Sequence, residues 1–342
     1  MEKVLVTGGT GFIGSNLVDK LLSMKVPVTV ADQVIAPNTD SSLWKKRLDR
    51  YYRICKSYSA EPKLEIIDLS VERERLSRIL HSNEIDTIFM LSAVFGGREF
   101  VDKQQVDCSY GFAIDQNTIR ACLNSGTVER IVYSSSACVY PPSKNVPNYL
   151  IKEDDVLSTG EGFNSSDNLY GFQKITTELT LQKLSEEYGI KTGSCRFLTV
   201  YGPGEYPSTH AISTLCNRAL KHEDPFLVWG TGQAERGFTY VTDIVEGMIL
   251  TAQKITDGTA VNLGTDKRYR IKDVTEMILK IIGYSPKIVY DKNKPEGPFS
   301  RALDISLAKR LLNWQPKVDL NEGLRRTIQW MQQELFTSSG RK

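Results

Sequence analysis

Histidine is scarce in this chain, with three in 342 residues, and none of the six cysteines falls in a C-x-x-C pair. A metal centre or a disulfide framework therefore lacks the ligand spacing it needs. The thiols at Cys55, Cys108, Cys122, Cys138, Cys195 and Cys216 fit a reducing, cytoplasmic setting. No apolar stretch is long enough to span a bilayer, because Gly, Pro or charge breaks each candidate. Val4-Leu5-Val6 is a short apolar run entering a Gly loop, which does not read as a secretory signal. An excess of one charge is missing too: 43 basic and 41 acidic residues leave +2, so nothing calls for nucleic acid or an anionic membrane. Neither an internal repeat nor a low-complexity tract is present.

What the chain does have is 40% hydrophobic and 25% charged residues, enough for one large or two closely packed domains. Short apolar runs predict strands over 3–7, Val26–Ala31 (ending at Asp32), Leu64–Ile67, Thr87–Leu91, Arg130–Ser134 and Thr192–Phe197. Helical patterns lie between most of them: about Phe12–Met24, Val71–Leu80, Ser109–Asn124 and Tyr170–Tyr188. Strands alternating with helices predict an α/β fold, a Rossmann-like doubly wound parallel sheet that binds ligands at the carboxyl ends of its strands. After residue 198 Gly and Pro cluster, at Tyr201–Pro207, Trp229–Gly232 and Lys294–Pro298. We therefore expect a cofactor-binding domain over 1–198 and a smaller α/β substrate-binding cap over 199–342, with about 237–262 returning to the first. Leu43, Trp44, Leu48, Tyr51, Tyr52 and Ile54 predict a short amphipathic helix within 36–62, whose role the sequence does not reveal.

Gly8-Gly9-Thr10-Gly11-Phe12-Ile13-Gly14 follows the first strand and opens the first helix. Glycines let the backbone turn tightly and approach a pyrophosphate seated on the helix N-terminus. Asp32 at the end of strand two can bind ribose hydroxyls and would repel a 2′-phosphate, which favours NAD over NADP. Asp68-Leu69 after strand three is placed to flank the adenine. Ser134-Ser135-Ser136 ends strand five, and Tyr170 and Lys174 stand at i and i+4 on one helix face. A phenol is a weak base at neutral pH, and a cation beside it should favour phenolate. Together these residues read as a general base, Tyr170, that takes a hydroxyl proton while hydride leaves the same carbon, with Ser136 orienting the oxygen.

In order along the chain, these motifs resemble the extended short-chain dehydrogenase/reductase superfamily, and within it the NAD-dependent nucleotide-sugar epimerases and dehydratases. Tyr201-Gly202-Pro203, Trp229-Gly230-Thr231-Gly232, Arg236–Asp243 and Arg301-Ala302-Leu303-Asp304 extend the resemblance over nearly the whole chain. It implies that Arg236 and Arg301 contact the diphosphate of a nucleotide-diphosphate sugar, and that Asn262-Leu263-Gly264 belongs to the cap. Hexose 4,6-dehydratases carry an Asp-Glu pair where this chain has Ala137-Cys138. Cys138, with Gly96-Gly97 and Phe100, is similar to GDP-mannose 3,5-epimerase, and the resemblance implies that Gly96 and Gly97 lie at the substrate. That family pairs its Cys with a Lys, and the matching position here is His210. Thr199 replaces the Asn that usually holds substrate before Tyr-Gly-Pro, and Met90–Ala93 lacks the usual His. The resemblance also implies a homodimer, built through the helix of Tyr170 and the one before strand five. A 4-keto sugar inverted at C5 or C3 by Cys138 and His210 is the expected chemistry. A UDP-sugar 4-epimerase, a dehydratase or 4-oxidoreductase, and a catalytically silent NAD-binding sensor are the other readings.

Overall fold

The computed structural model describes residues 1–33, 41–94, 96, 98–156, 168–206 and 210–336. Six strands and six helices build the first part of the chain: β1 (Val4–Thr7), α1 (Phe12–Ser23), β2 (Val28–Asp32), α2 (Ser41–Ser57), β3 (Leu64–Ile66), α3 (Arg73–Ser82), β4 (Thr87–Met90), α4 (Arg98–Lys103), α5 (Gln105–Ser125), β5 (Arg130–Ser136), α6 (Asn168–Tyr188) and β6 (Lys191–Phe197). The later elements are shorter: β7 (Val200–Tyr201), α7 (Ala211–Leu220), β8 (Phe226–Trp229), β9 (Glu235–Arg236), β10 (Thr239–Tyr240), α8 (Val241–Lys254), β11 (Ala260–Leu263), β12 (Tyr269–Arg270), α9 (Ile271–Ile282), β13 (Ile288–Asp291), β14 (Ser300–Arg301), α10 (Ser306–Leu312) and α11 (Leu320–Met331).

Seven strands form one parallel sheet in the order β11-β6-β5-β4-β1-β2-β3. This is the doubly wound arrangement, and its order reverses at β1 and β4. Every residue of β1 is buried, as a strand covered on both faces should be. Period-2 alternation divides it: Val4 and Val6 join one core with α1, α2 and α8, while Leu5 joins the opposite core with α3, α5 and α6. Residues Asn262 and Leu263, expected in the cap, lie instead in β11 on the edge of the central sheet. A two-sided apolar strand pairs wherever a sheet edge is open, and sequence cannot show which edge that is.

A third core gathers Tyr201, Tyr206, Phe226, Phe238, Val274, Ile278, Leu324 and Ile328, with Trp330 and Met331 buried among them. The amphipathic helix predicted within 36–62 is α2. Tyr51 and Ile54 enter the sheet core, and Arg50 donates to Ser15 Oγ at 3.1 Å and Asn16 Oδ1 at 3.4 Å on α1. Arg50 also lies 5.9 Å from the Trp330 ring, and the Tyr206 hydroxyl donates to the Lys46 carbonyl at 3.1 Å. Helix α2 thus ties the Gly loop's helix to the third core. No helix among the described residues is long and apolar enough to cross a membrane.

Candidate active site

The Gly loop turns at Gly8, whose φ of 67° lies in the left-handed region that glycine adopts without strain. A Cβ at Gly14 would fall 2.1 Å from the Gly8 carbonyl oxygen, so helix and loop touch backbone to backbone. Gly11 caps α1 with no side-chain hydrogen bond, and no acidic residue enters its first turn. The amides around Phe12 and Ile13 therefore keep the positive character that suits a pyrophosphate. A dinucleotide fits this cradle.

Asp32 does more than the sequence reading assigned to it. Its Oδ2 accepts from the Thr10 amide at 2.9 Å and the Thr10 hydroxyl at 2.6 Å, and its Oδ1 from the Gln33 amide at 2.8 Å. These bonds pin the Gly loop to β2 and leave capacity on Oδ1 for a ribose hydroxyl, since a carboxylate accepts about four hydrogen bonds. Burial raises its pKa, and Thr10, Gln33 and the Arg47 charge counter that rise. Asp68 Oδ1 accepts from the Ser70 amide and hydroxyl, and Leu69 is buried in the core under α3. Both stand at the carboxyl end of β3.

At the end of β5, Ser136 Oγ accepts from the Cys138 amide at 3.1 Å and caps the turn Ala137–Val139. Tyr170, Val101 and Cys108 pack together, with Cys138 and Phe100 against them. The Lys174 ammonium donates to the Ser134 carbonyl at 2.9 Å and lies 4.5 Å from the Tyr133 ring and 5.7 Å from the Tyr170 ring. The expected acidification of Tyr170 by Lys174 is not what dominates. Burial, followed by Cys138, pushes the phenol well above its ordinary value, and hydrogen bonding to Ser136 offsets this only in part. Lys174 is itself pulled down by burial, with Asp115 the leading opposing charge. Desolvation outweighs a cation whose hydrogen bond goes to a backbone carbonyl.

Asp115 is a residue the sequence reading missed. Its Oδ2 accepts from Tyr133 at 2.6 Å, from Thr177 at 2.8 Å and from Gln173. This buried carboxylate of α5 grips β5 and the face of α6 that carries Tyr170 and Lys174. A second buried pair, Arg196 and Glu178 at 2.7 Å, ties β6 to α6, and Ser135 donates to the same Glu178. Such pairs join residues far apart in sequence and leave no periodic signal.

A cavity of about 420 Å³ opens beside this cluster. Cys138, Thr199, His210, Arg236 and Arg301 all line it, and so does Arg218, which the sequence reading left without a role. Arg236 and Arg301 are partners in the parallel register of β9 and β14, so one small sheet sets both. Arg236 donates to the Glu235 carbonyl at 2.7 Å and the Glu296 carbonyl at 3.0 Å, and Arg301 to Asn145 Oδ1 at 2.5 Å. Trp229, Phe238 and Pro298 supply apolar wall. Of the two glycines expected at the substrate, Gly96 packs on Phe100, where a Cβ would fall 2.5 Å from its Cβ, and Gly97 lies outside the described residues.

Thr199 is strained, with φ at 37°. Asn visits that region readily and a β-branched residue does not. Thr199→Asn should therefore stabilise the fold by about 1 kcal/mol, read from urea unfolding. A destabilised variant would show that the threonine side chain, not the backbone, governs the position.

Comparison with known proteins gives the same fold. The model of the NAD dependent epimerase/dehydratase family matches residues 4–264. A GDP-mannose 3,5-epimerase 1 of Oryza sativa subsp. indica is 29% identical over 339 residues, covering 97% of this chain and 82% of the rice protein. A putative UDP-glucose 4-epimerase of Methanocaldococcus jannaschii is 26% identical over 332 residues, covering 96% and 98%. The crystal structure of UDP-glucuronic acid 4-epimerase from Bacillus cereus, in complex with UDP-glucuronic acid and NAD, superposes with a TM-score of 0.80 at 25% identity, covering 97% and 99%.

Proposed function

We propose a specific reaction for a chain that, by this match, belongs to the NAD dependent epimerase/dehydratase family: epimerisation of a nucleotide-diphosphate sugar at C5, at C3 or at both, through a transient 4-keto sugar. The observation that carries it is the single cavity that gathers Cys138 and His210 with Arg236 and Arg301, beside Tyr170. Gly8, Gly11, Phe12, Ile13 and Gly14 would hold the pyrophosphate of NAD, and Asp32 a ribose, with Asp68 and Leu69 near the adenine. NAD, when bound, would supply a hydride acceptor and a nicotinamide charge that adds to that of Lys174.

Tyr170 takes the proton of the sugar 4-hydroxyl while Ser136 orients that oxygen. Lys174, bound to the Ser134 carbonyl, holds the local positive charge. Arg236 and Arg301 bind the diphosphate. A carbonyl at C4 acidifies the neighbouring C–H bonds. Cys138, as thiolate, removes one such proton, and the electron pair moves onto the carbonyl oxygen. His210 returns a proton to the same carbon from the other ring face, and the electron pair re-forms the C–H bond. The redox cycle closes on itself and consumes no added oxidant.

The test is turnover of GDP-, UDP-, CDP- and dTDP-sugars in D₂O, followed by NMR and mass spectrometry. An isomer with deuterium at C3 or C5 is expected. Cys138→Ala should cut that incorporation by about 10²-fold or more. An isomer changed at C4 with no deuterium would replace this reading with simple 4-epimerisation, which the likeness to the Methanocaldococcus jannaschii protein favours. Loss of water, or of two hydrogens, would make the protein a dehydratase or a 4-oxidoreductase. A homodimer through α5 and α6 accompanies the proposal, since Val106, Tyr110, Leu169 and Leu179 are exposed on those helices.

A further inference from the structure

We propose that Glu205 is the positioning residue for His210, fixing which ring nitrogen carries the exchangeable proton and keeping the imidazole charged. The proposal rests on the reading of His210 as one of the two ring-proton exchange groups. Glu205 follows Tyr201-Gly202-Pro203 and is 4% exposed. Its Oε1 lies 2.6 Å from His210 Nδ1. Its Oε2 is buried with no hydrogen-bond partner. A carboxylate taken out of water needs a charge partner, and His210 is the partner this one meets. Cys216 and Tyr206 around it belong to the third core, where an acid has no packing use.

An ionised carboxylate only accepts, so Nδ1 must carry the hydrogen it donates to Glu205. The proton exchanged with substrate then sits on Nε2, and His210 lines the cavity shared with Cys138. A carboxylate-held imidazolium thereby does the work of the lysine that the resemblance places at this position. Nε2–H delivers its proton to the sugar carbon, leaving a neutral imidazole still bonded through Nδ1, and solvent restores the proton. Sequence reading missed Glu205 because a lone acid in a Gly- and Pro-rich loop reads as solvated.

Burial pushes the Glu205 carboxyl above its ordinary value, against the ionised form, and the hydrogen bond and charge of His210 oppose that rise; the pair's geometry, not the shift, carries the assignment. Burial alone would pull His210 below the ordinary imidazole value of 6.5, but the hydrogen bond and charge of Glu205 more than reverse this, so the net shift is upward. The His210 contribution is then full below 6.5 while Glu205 stays ionised, and is lost as pH rises through the raised value; on the acid side the pair is lost as the raised Glu205 carboxyl takes up its proton. Cys138, Arg218, Arg236, Glu296 and Arg301 face the same cavity. All five groups are unchanged when Glu205 alone is altered.

The experiment is an NMR titration of the full chain with isotope-labelled histidine, which resolves three imidazoles: His81, His210 and His222. In the unaltered chain His210 should titrate above the ordinary value and carry its neutral-form proton on Nδ1. Glu205→Gln should move the His210 titration downward and leave His81 and His222 in place. Deuterium incorporation into the sugar should then fall about tenfold or more at about pH 8 and much less at about pH 6, with Glu205→Asp restoring part of it. An unchanged His210 titration in Glu205→Gln overturns the proposal while leaving the epimerase reading intact. Coupling in the titration, with no incorporation by the unaltered chain into any sugar of the panel, overturns that reading and the role of Glu205 with it. Should Glu205→Gln fail to fold, the tautomer of the unaltered chain decides: a proton on Nδ1 supports the proposal, and one on Nε2 overturns it.

Discussion

Tyr170→Phe should lower turnover by about 10³-fold or more while leaving NAD binding within about twofold of the unaltered chain. The ring is buried, and its packing against Val101 and Cys108 needs no hydroxyl, so the substitution preserves shape. What it removes is the oxygen proposed to accept the 4-hydroxyl proton. Ser136 cannot replace it, because a serine hydroxyl ionises far less readily than a phenol, and this one caps the turn at Cys138. Isothermal titration with NAD and a coupled assay on the sugar nucleotide separate binding from turnover. Full activity in the variant would remove Tyr170 from the mechanism and with it the proposed route through a 4-keto sugar. Since burial holds the resting phenol well above its ordinary value, ligand-free Tyr170 stays neutral through physiological pH.

Gly14→Ala should weaken NAD binding by about 10- to 100-fold. Its Cβ would sit 2.1 Å from the Gly8 carbonyl oxygen and 2.9 Å from Gly9 Cα, both backbone atoms with no freedom to step aside. Relief requires α1 to shift away from the loop. Overpacking of this kind costs about 1–3 kcal/mol, and each 1.4 kcal/mol taken from the binding-competent form is tenfold in affinity. Gly11→Ala is the internal control. Its added Cβ would stand 3.1 Å from the same oxygen, a contact that a shift of a few tenths of an ångström relieves. The expected order of NAD affinity is unaltered chain, Gly11→Ala, then Gly14→Ala, measured by calorimetry. Equal affinities across the three would mean that the pyrophosphate does not use this loop.

Much of this architecture was legible in the residues. Six of the seven strands of the sheet were marked; β1 and β4 are buried at every position, as strands covered on both faces should be, whereas β3 is half-exposed and β6 carries Thr192, Ser194 and Arg196. Element ends moved by up to four residues, as at β2, which begins at Val28 rather than Val26, and α5, which begins at Gln105 rather than Ser109. Strand β11 was not marked as a strand: Asn262 interrupts its apolar pattern and is satisfied by the Ile151 and Asp304 carbonyls, at 3.0 Å each. The i, i+4 spacing of Tyr170 and Lys174 and the Gly loop needed no tertiary information.

Local pattern thus determined the parallel sheet, the dinucleotide loop and the identity of the Tyr170–Lys174 face, because each depends on residues within one or two turns of chain. Tertiary structure alone decided the rest. It set the direction in which the Tyr170 phenol shifts, upward, since desolvation depends on everything packed around the ring. It joined Asp115 to Gln173, 58 residues away, and brought Cys138 from the end of β5 to one cavity with His210 and Arg301. Glu205 and His210 stand five residues apart, yet only burial in the third core turns that spacing into a charge pair. Contacts of this kind are made by packing between elements, and composition or periodicity carries no record of them.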